Sequence, residues 1–289
     1  MAERLGLTTR DGSRLTYRIA GERDSPTVLV CHPGGPGMSG DYFGDGIGLP
    51  GGRRFVLLDP RGTGDSDPPA DGRYELERYA DDVEELREHL GLEQLDYLGH
   101  SHGGFVGITY ALAYPGRLRR LVLACSAPRF SPELREEAAR AFAAQADEPW
   151  YADALDAQAR RQAGDYDGPH QAIALYRREM RLWFGPRSDV ADEFLAAFAA
   201  TARPDLAALR YFNERLAPAY DVRPRLAEIR APTLILNGEA DFFGPQVSAR
   251  ELSAIPGSRV VMLPGVGHWA FAEAPDAFRE AVAEFLAGP

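Results

Sequence analysis

Ser101 stands in the pentapeptide Gly99-His100-Ser101-His102-Gly103, with Gly104 following. This is the G-x-S-x-G pattern, in which a sharp strand-to-helix turn presents a serine hydroxyl. Its context fits: the apolar run Leu95–Leu98 leads in, and a helix opening on small residues leads out. A serine hydroxyl is a weak nucleophile near neutral pH and needs a base beside it. Two further segments supply the partners in the chain order serine, acid, histidine. Asp241 ends Gly238-Glu-Ala-Asp241, just beyond the apolar run Thr233–Asn237, and His268 lies in Gly267-His268-Trp269, just beyond Arg259–Leu263. Sites in open parallel sheets gather at the carboxyl ends of strands, where all three residues fall. The expected roles are Ser101 as nucleophile, His268 as general base and Asp241 as the acid that fixes the imidazole tautomer. Glu239, two residues before Asp241, is the alternative acid.

Attack on a carbonyl creates an oxyanion, which needs preorganised donors. The backbone N–H of His102, the residue after the nucleophile, is one. The second is expected from the loop His32-Pro-Gly-Gly-Pro-Gly37, whose glycines let the main chain approach a substrate oxygen; Gly35 is the candidate donor.

Other chemistries are weaker. The sequence contains no lysine, all 32 basic residues being arginine, which removes Schiff-base, Ser–Lys and phosphate-loop lysines. His100 and His102 flank the serine like a metal pair, but no third ligand follows at suitable spacing, so neither a metal nor a cofactor is expected. His89 reads as a solvated helix position and His170 as a turn residue. Cys31 and Cys125 each lie in an apolar run and read as reduced core thiols. The net charge of −11 argues against nucleic acid and against an anionic membrane surface. No apolar stretch is long enough to span a bilayer, and Met1–Arg10 has no signal-peptide core, so a cytoplasmic protein is expected.

The elements that must position these residues follow from periodicity. Thr27–His32, Arg54–Asp59, Leu95–His100, Arg120–Cys125, Thr233–Asn237 and Arg259–Leu263 are apolar runs suited to strands buried on both faces of a parallel sheet. Leu76, Tyr79, Val83, Leu86 and Leu90 recur at helical spacing, with Glu84, Glu85 and Glu88 expected on the wet face. From about Pro128 to Tyr220 strand-like runs vanish, and alanine, arginine, acidic and aromatic residues dominate. The expectation is an α/β core, residues 1–127 and 221–289, closed by a helix over Pro275–Leu286 and interrupted by a helical cap insertion, residues 128–220.

The segments His32–Gly37, Asp59-Pro-Arg-Gly-Thr-Gly-Asp-Ser66 and Gly99–Gly104 together resemble the proline iminopeptidase branch of the α/β-hydrolases, over nearly the whole core. The resemblance implies the α/β-hydrolase fold, an oxyanion hole in the glycine loop, and acidic cap residues that bind a substrate's free amine. This chain departs from the family twice. Pro33 interrupts the usual His-Gly start, and the glutamate expected shortly before Tyr211-Phe212 is missing, with Glu214 just beyond as its substitute.

The reading is a serine hydrolase that cleaves a small amide or ester through an acyl-enzyme. The substrate is a small molecule or short peptide, most like that of a proline iminopeptidase-type aminopeptidase; a carboxylic ester or lactone is the alternative. Glu214, Trp183, Phe184 and Tyr211 are the candidate substrate-binding residues, within a mostly apolar pocket. Arg61 reads as fixing its loop or, alternatively, as clamping substrate.

Overall fold

The computed structural model describes residues 3–44, 52–186, 189–201 and 204–288. Its centre is one eight-stranded sheet in the order β1-β2-β4-β3-β5-β6-β7-β8. The strands are β1 (Arg4–Thr8), β2 (Arg14–Gly21), β3 (Val28–His32), β4 (Arg54–Asp59), β5 (Leu95–His100), β6 (Leu118–Ala124), β7 (Thr233–Gly238) and β8 (Arg259–Leu263). β2 runs antiparallel to both β1 and β4, and every pair from β4 through β8 is parallel. All six apolar runs seen in the sequence are strands. β1 and β2 show no continuous apolar run: β1 is mostly exposed or half-buried, and in β2 the buried stretch Leu15–Arg18 includes Thr16 and Arg18, which are partnered by Asp59 and Asp41.

Helices α1 (Leu76–His89), α2 (His102–Ala113), α8 (Pro245–Leu252), α9 (Ala270–Glu273) and α10 (Pro275–Ala287) belong to the strand-bearing parts of the chain. α1 buries Leu76, Tyr79, Val83 and Leu86 along one stripe, as the spacing predicts. Glu84 departs from expectation. It is buried rather than wet, because its carboxylate receives the Arg87 guanidinium at 2.7 and 2.8 Å and the Tyr110 hydroxyl at 2.8 Å. A charge so fully partnered can leave water. Arg61 is likewise structural: it is buried and bonds Asp82 and Asp11, so it fixes its loop and clamps nothing in the cavity.

Between β6 and β7 the described residues form helices: α3 (Pro132–Ala143), α4 (Tyr151–Ala163), α5 (Gly168–Glu179), α6 (Ala191–Thr201) and α7 (Leu206–Tyr211), with short 3₁₀ turns at Met180–Trp183 and Arg223–Glu228 and a wider π-helical turn at Phe212–Leu216. This segment leaves and rejoins the sheet at one place. Val222 N–H donates to Pro128 O at 2.9 Å, and Arg129 pairs with Asp221 in an isolated bridge. No helix among the described residues is long and apolar enough to cross a membrane.

Candidate active site

Ser101 sits between β5 and α2 with φ 56° and ψ −117°, a conformation costly for a residue with a side chain. The surroundings impose it. Ser101 N–H donates to Ala124 O of β6 at 2.9 Å, and Gly104 N–H donates to Ser101 O at 2.9 Å. The turn also brings main chains together where no β-carbon fits: one on Gly99 would collide with Gly103 O, and one on Gly103 with His32 O. The pentapeptide is therefore the sequence trace of a backbone crossing. The glycine loop lies directly over the serine, since a β-carbon on Gly34 would stand 2.8 Å from Ser101 Cβ.

Asp241 and His268 meet as the sequence order anticipates. His268 Nδ1 lies 2.9 Å from Asp241 Oδ1, and both side chains are buried. Asp241 Oδ1 also accepts from Phe243 N–H at 2.9 Å, which orients the carboxylate. Glu239, the alternative acid, makes no such contact with His268; its N–H bonds Leu263 O in the return from β7. Phe243 stacks on the His268 ring at 5.5 Å between centroids, and Phe242 lies 4.6 Å away.

Glu273, which carries no motif, organises the His268 loop. Its carboxylate accepts from Gly267 N–H and Trp269 N–H at 3.1 and 3.2 Å, and from Gly185 N–H at 2.7 Å. Burial raises its pKa while the amide bonds oppose the shift. Trp183 O completes the support by accepting from His268 N–H at 2.7 Å.

Ser101 and His268 open onto a cavity of about 170 Å³. Gly34 and Gly35 border it on the sheet side. His102 opens α2, so its backbone N–H has no partner within the helix. The far wall comes from the helical segment and includes Tyr176, Glu179, Trp183, Leu209 and Phe212.

Of the four residues expected to contact substrate, Trp183 lines this cavity. The other three do not. Phe184 is buried behind it, packed on Phe194 and Trp269. Tyr211 turns its hydroxyl to Glu75 Oε1 at 2.9 Å. Glu214 is exposed and lines two outer depressions with Arg210, one of which adjoins the cavity through Arg161, Leu209 and Asn213. Helical phase explains the error: Leu209, Phe212 and Asn213 face the cavity, and Glu214 lies a step further round.

The carboxylate that does face the cavity is Glu179, at the end of α5. It is completely buried; Oε2 accepts from Arg161 Nε at 2.7 Å, and Oε1 has no partner. Burial raises its pKa, and the Arg161 guanidinium opposes the shift. A signal for it existed. Ala172, Leu175, Tyr176 and Glu179 are all buried at spacing i, i+3, i+4, i+7, so a glutamate occupies an apolar stripe.

One cluster among the described residues has metal-ligand spacing: His100, Cys125 and His268, with ligand atoms within 4.8 Å of one another. Its donors are engaged elsewhere. Both His100 nitrogens bond Tyr42 and His268 O, His268 Nδ1 faces Asp241, and burial, followed by the Asp241 charge, holds the Cys125 thiol protonated.

Comparison with known proteins agrees with this architecture. The chain is 29% identical to a proline iminopeptidase of Lactobacillus helveticus, over 95% of each chain. It is 32% identical to a 2-hydroxy-6-oxononadienedioate/2-hydroxy-6-oxononatrienedioate hydrolase of Pseudomonas putida, over 94% of this chain and 91% of the relative. Among solved structures, the enol-lactonase from Burkholderia xenovorans LB400 superposes with a TM-score of 0.70 at 27% identity, over 98% of this chain and 100% of that one. The family model described as alpha/beta hydrolase fold matches residues 27–275, so the chain belongs to the α/β-hydrolases.

Proposed function

We propose that this hydrolase works through an acyl-enzyme on Ser101, with residues 128–220 serving as a cap over the core 1–127 and 221–289. Asp241 accepts a hydrogen bond from His268 Nδ1–H, which leaves Nε2 free to take the Ser101 proton as Oγ attacks the substrate carbonyl. The oxyanion is received by the N–H groups of His102 and Gly35. Gly35 is favoured over its neighbour because Gly34 N–H already bonds the Tyr42 hydroxyl. Collapse breaks the carbonyl's bond to its leaving nitrogen or oxygen, and His268 gives that atom the proton. Water, deprotonated by His268, then attacks the acyl-enzyme and frees Ser101. The histidine works against Phe242 and Phe243, where fixed dipoles act with little solvent screening.

The substrate class we propose is a small aminoacyl amide with a free amine, of the kind a proline iminopeptidase cleaves. The observation that carries this is Glu179 Oε1, a buried acceptor without a partner, on the wall of the cavity that holds Ser101. A buried acceptor left unmatched is costly, and a substrate ammonium satisfies it. Glu179 thus takes the role expected of Glu214. The apolar remainder of the wall and the Arg161–Glu179 pair, neutral as a unit, support the second reading, a small ester or lactone.

Glu179→Gln discriminates between them. A charge-assisted hydrogen bond is worth about 1.5–3 kcal/mol. On the aminoacyl reading, KM for a prolyl-arylamide rises on the order of 10- to 100-fold, a far larger change than for an aryl acetate. An equal effect on both substrates moves the assignment to the ester or lactone.

A further inference from the structure

His100 and Tyr42 take no direct part in the steps above, yet both are buried or half-buried against the groups that do. The Tyr42 hydroxyl accepts from Gly34 N–H of the glycine loop. A hydroxyl has one proton to donate, and here the acceptor within reach is His100 Nδ1, 3.0 Å away. With Nδ1 accepting, the neutral imidazole carries its proton on Nε2. That atom lies 2.8 Å from His268 O and donates to it. Every link therefore has one consistent direction: Gly34 N–H to Tyr42, Tyr42 O–H to His100, His100 Nε2–H to the main chain of His268.

The packing holds this chain of bonds in place. Trp269 stacks on His100 at 5.4 Å and meets Tyr42 edge-on at 5.6 Å, while Phe271 stacks on Tyr42 at 5.6 Å. Burial keeps His100 neutral, its pKa far below that of an ordinary histidine, as the donor–acceptor pattern requires. A protonated ring would present two donors and no acceptor to the tyrosine.

We infer that Tyr42 and His100 are positioning residues that lock the oxyanion loop and the general base into one rigid unit across Ser101. The pair joins the two loops that must hold their spacing while charge builds on the substrate oxygen, with His100 also bordering the cavity beside Ser101. Catalysis depends on such spacing being set before reaction. Orienting Gly34 also orients the peptide that follows it, which carries the Gly35 N–H. The inference rests on the triad reading above.

Tyr42→Phe keeps the ring and removes the hydroxyl, and His100→Phe keeps a ring and removes both nitrogens. For Tyr42→Phe we expect kcat to fall roughly 10- to 100-fold, short of the about 10²–10³-fold lost when an oxyanion donor is deleted. KM for a small ester should change by less than about threefold, since uniform binding is untouched. A boronic acid that mimics the tetrahedral state should bind more weakly in proportion to kcat, whereas a competitive inhibitor without an electrophilic carbonyl should not. The double variant should be no slower than the worse single one, because either change breaks the same chain of bonds. Unchanged kcat in Tyr42→Phe overturns the inference, as does a loss that falls equally on both inhibitors or multiplies in the double variant. Ser101→Ala is assayed in parallel. If it retains turnover, the triad reading fails; if it is inactive while Tyr42→Phe is not impaired, only the positioning role fails.

Discussion

The two walls of the cavity that holds Ser101 are built on different principles. On the sheet side the groups are fixed by main-chain bonds and close crossings: Ser101 by Ala124, Asp241 by Phe243, and the His268 loop by Glu273, with Trp183 O supporting that loop from the helical side. On the helical side the wall is mostly apolar and aromatic, with Asn213 and the Arg161–Glu179 pair as its polar groups, and the second carboxylate oxygen of the pair is unmatched. The sheet-side groups are held by main-chain bonds before substrate arrives, whereas on the helical wall Glu179 Oε1 presents an unmatched acceptor at the cavity. Machinery that breaks the bond and features that select the substrate are thus separable, and changes on the two sides should have different signatures.

The largest expected effect lies on the sheet side. Ser101→Ala should fold and lose turnover by on the order of a millionfold, whichever substrate is used, as measured by steady-state hydrolysis. Retained turnover would break the comparison at its root. Asp241→Asn comes next, at roughly 10⁴-fold in kcat, because an amide no longer enforces the Nδ1–H tautomer of His268.

On the helical side, effects should depend on substrate and appear in KM. Glu179 binds an ammonium only when ionised, and burial raises its pKa above the ordinary glutamate value of about 4.3. As pH falls through that raised value the carboxylate protonates. KM for a prolyl-arylamide should therefore climb, as pH falls, at a higher pH than for an ordinary glutamate, and the climb should disappear in Glu179→Gln. A pH profile of KM that is the same for the amide and a neutral ester would mean that Glu179 meets no cation. The smallest effect is expected at Glu214, exposed and outside the cavity. Glu214→Gln should alter KM and stability by no more than about 0.5 kcal/mol, roughly twofold, by kinetics and thermal unfolding.

The same contrast explains what could be read in the sequence. Close crossings of main chain demand glycine, and buried parallel strands demand unbroken apolar runs. Gly99, Gly103 and the six runs therefore announced the elbow, the core strands and the order of Ser101, Asp241 and His268. Which face of a cap helix points at a cavity is settled by tertiary packing. Phe184 and Tyr211 had suitable chemistry and the wrong direction, and Glu214 lay one step off the facing stripe. Glu179 was legible only as a carboxylate out of place among Ala172, Leu175 and Tyr176. Glu273 and Tyr42 act through backbone amides that fold back to them, which leaves no local pattern.

The central claim is that Ser101 is the nucleophile. A fluorophosphonate traps an activated serine covalently, and peptide mapping after its reaction with the intact protein reads that claim directly. The account predicts one adduct, on Ser101, formed in step with loss of hydrolytic activity and absent from Ser101→Ala. An adduct on another serine, or full activity remaining after Ser101 is modified, would contradict it.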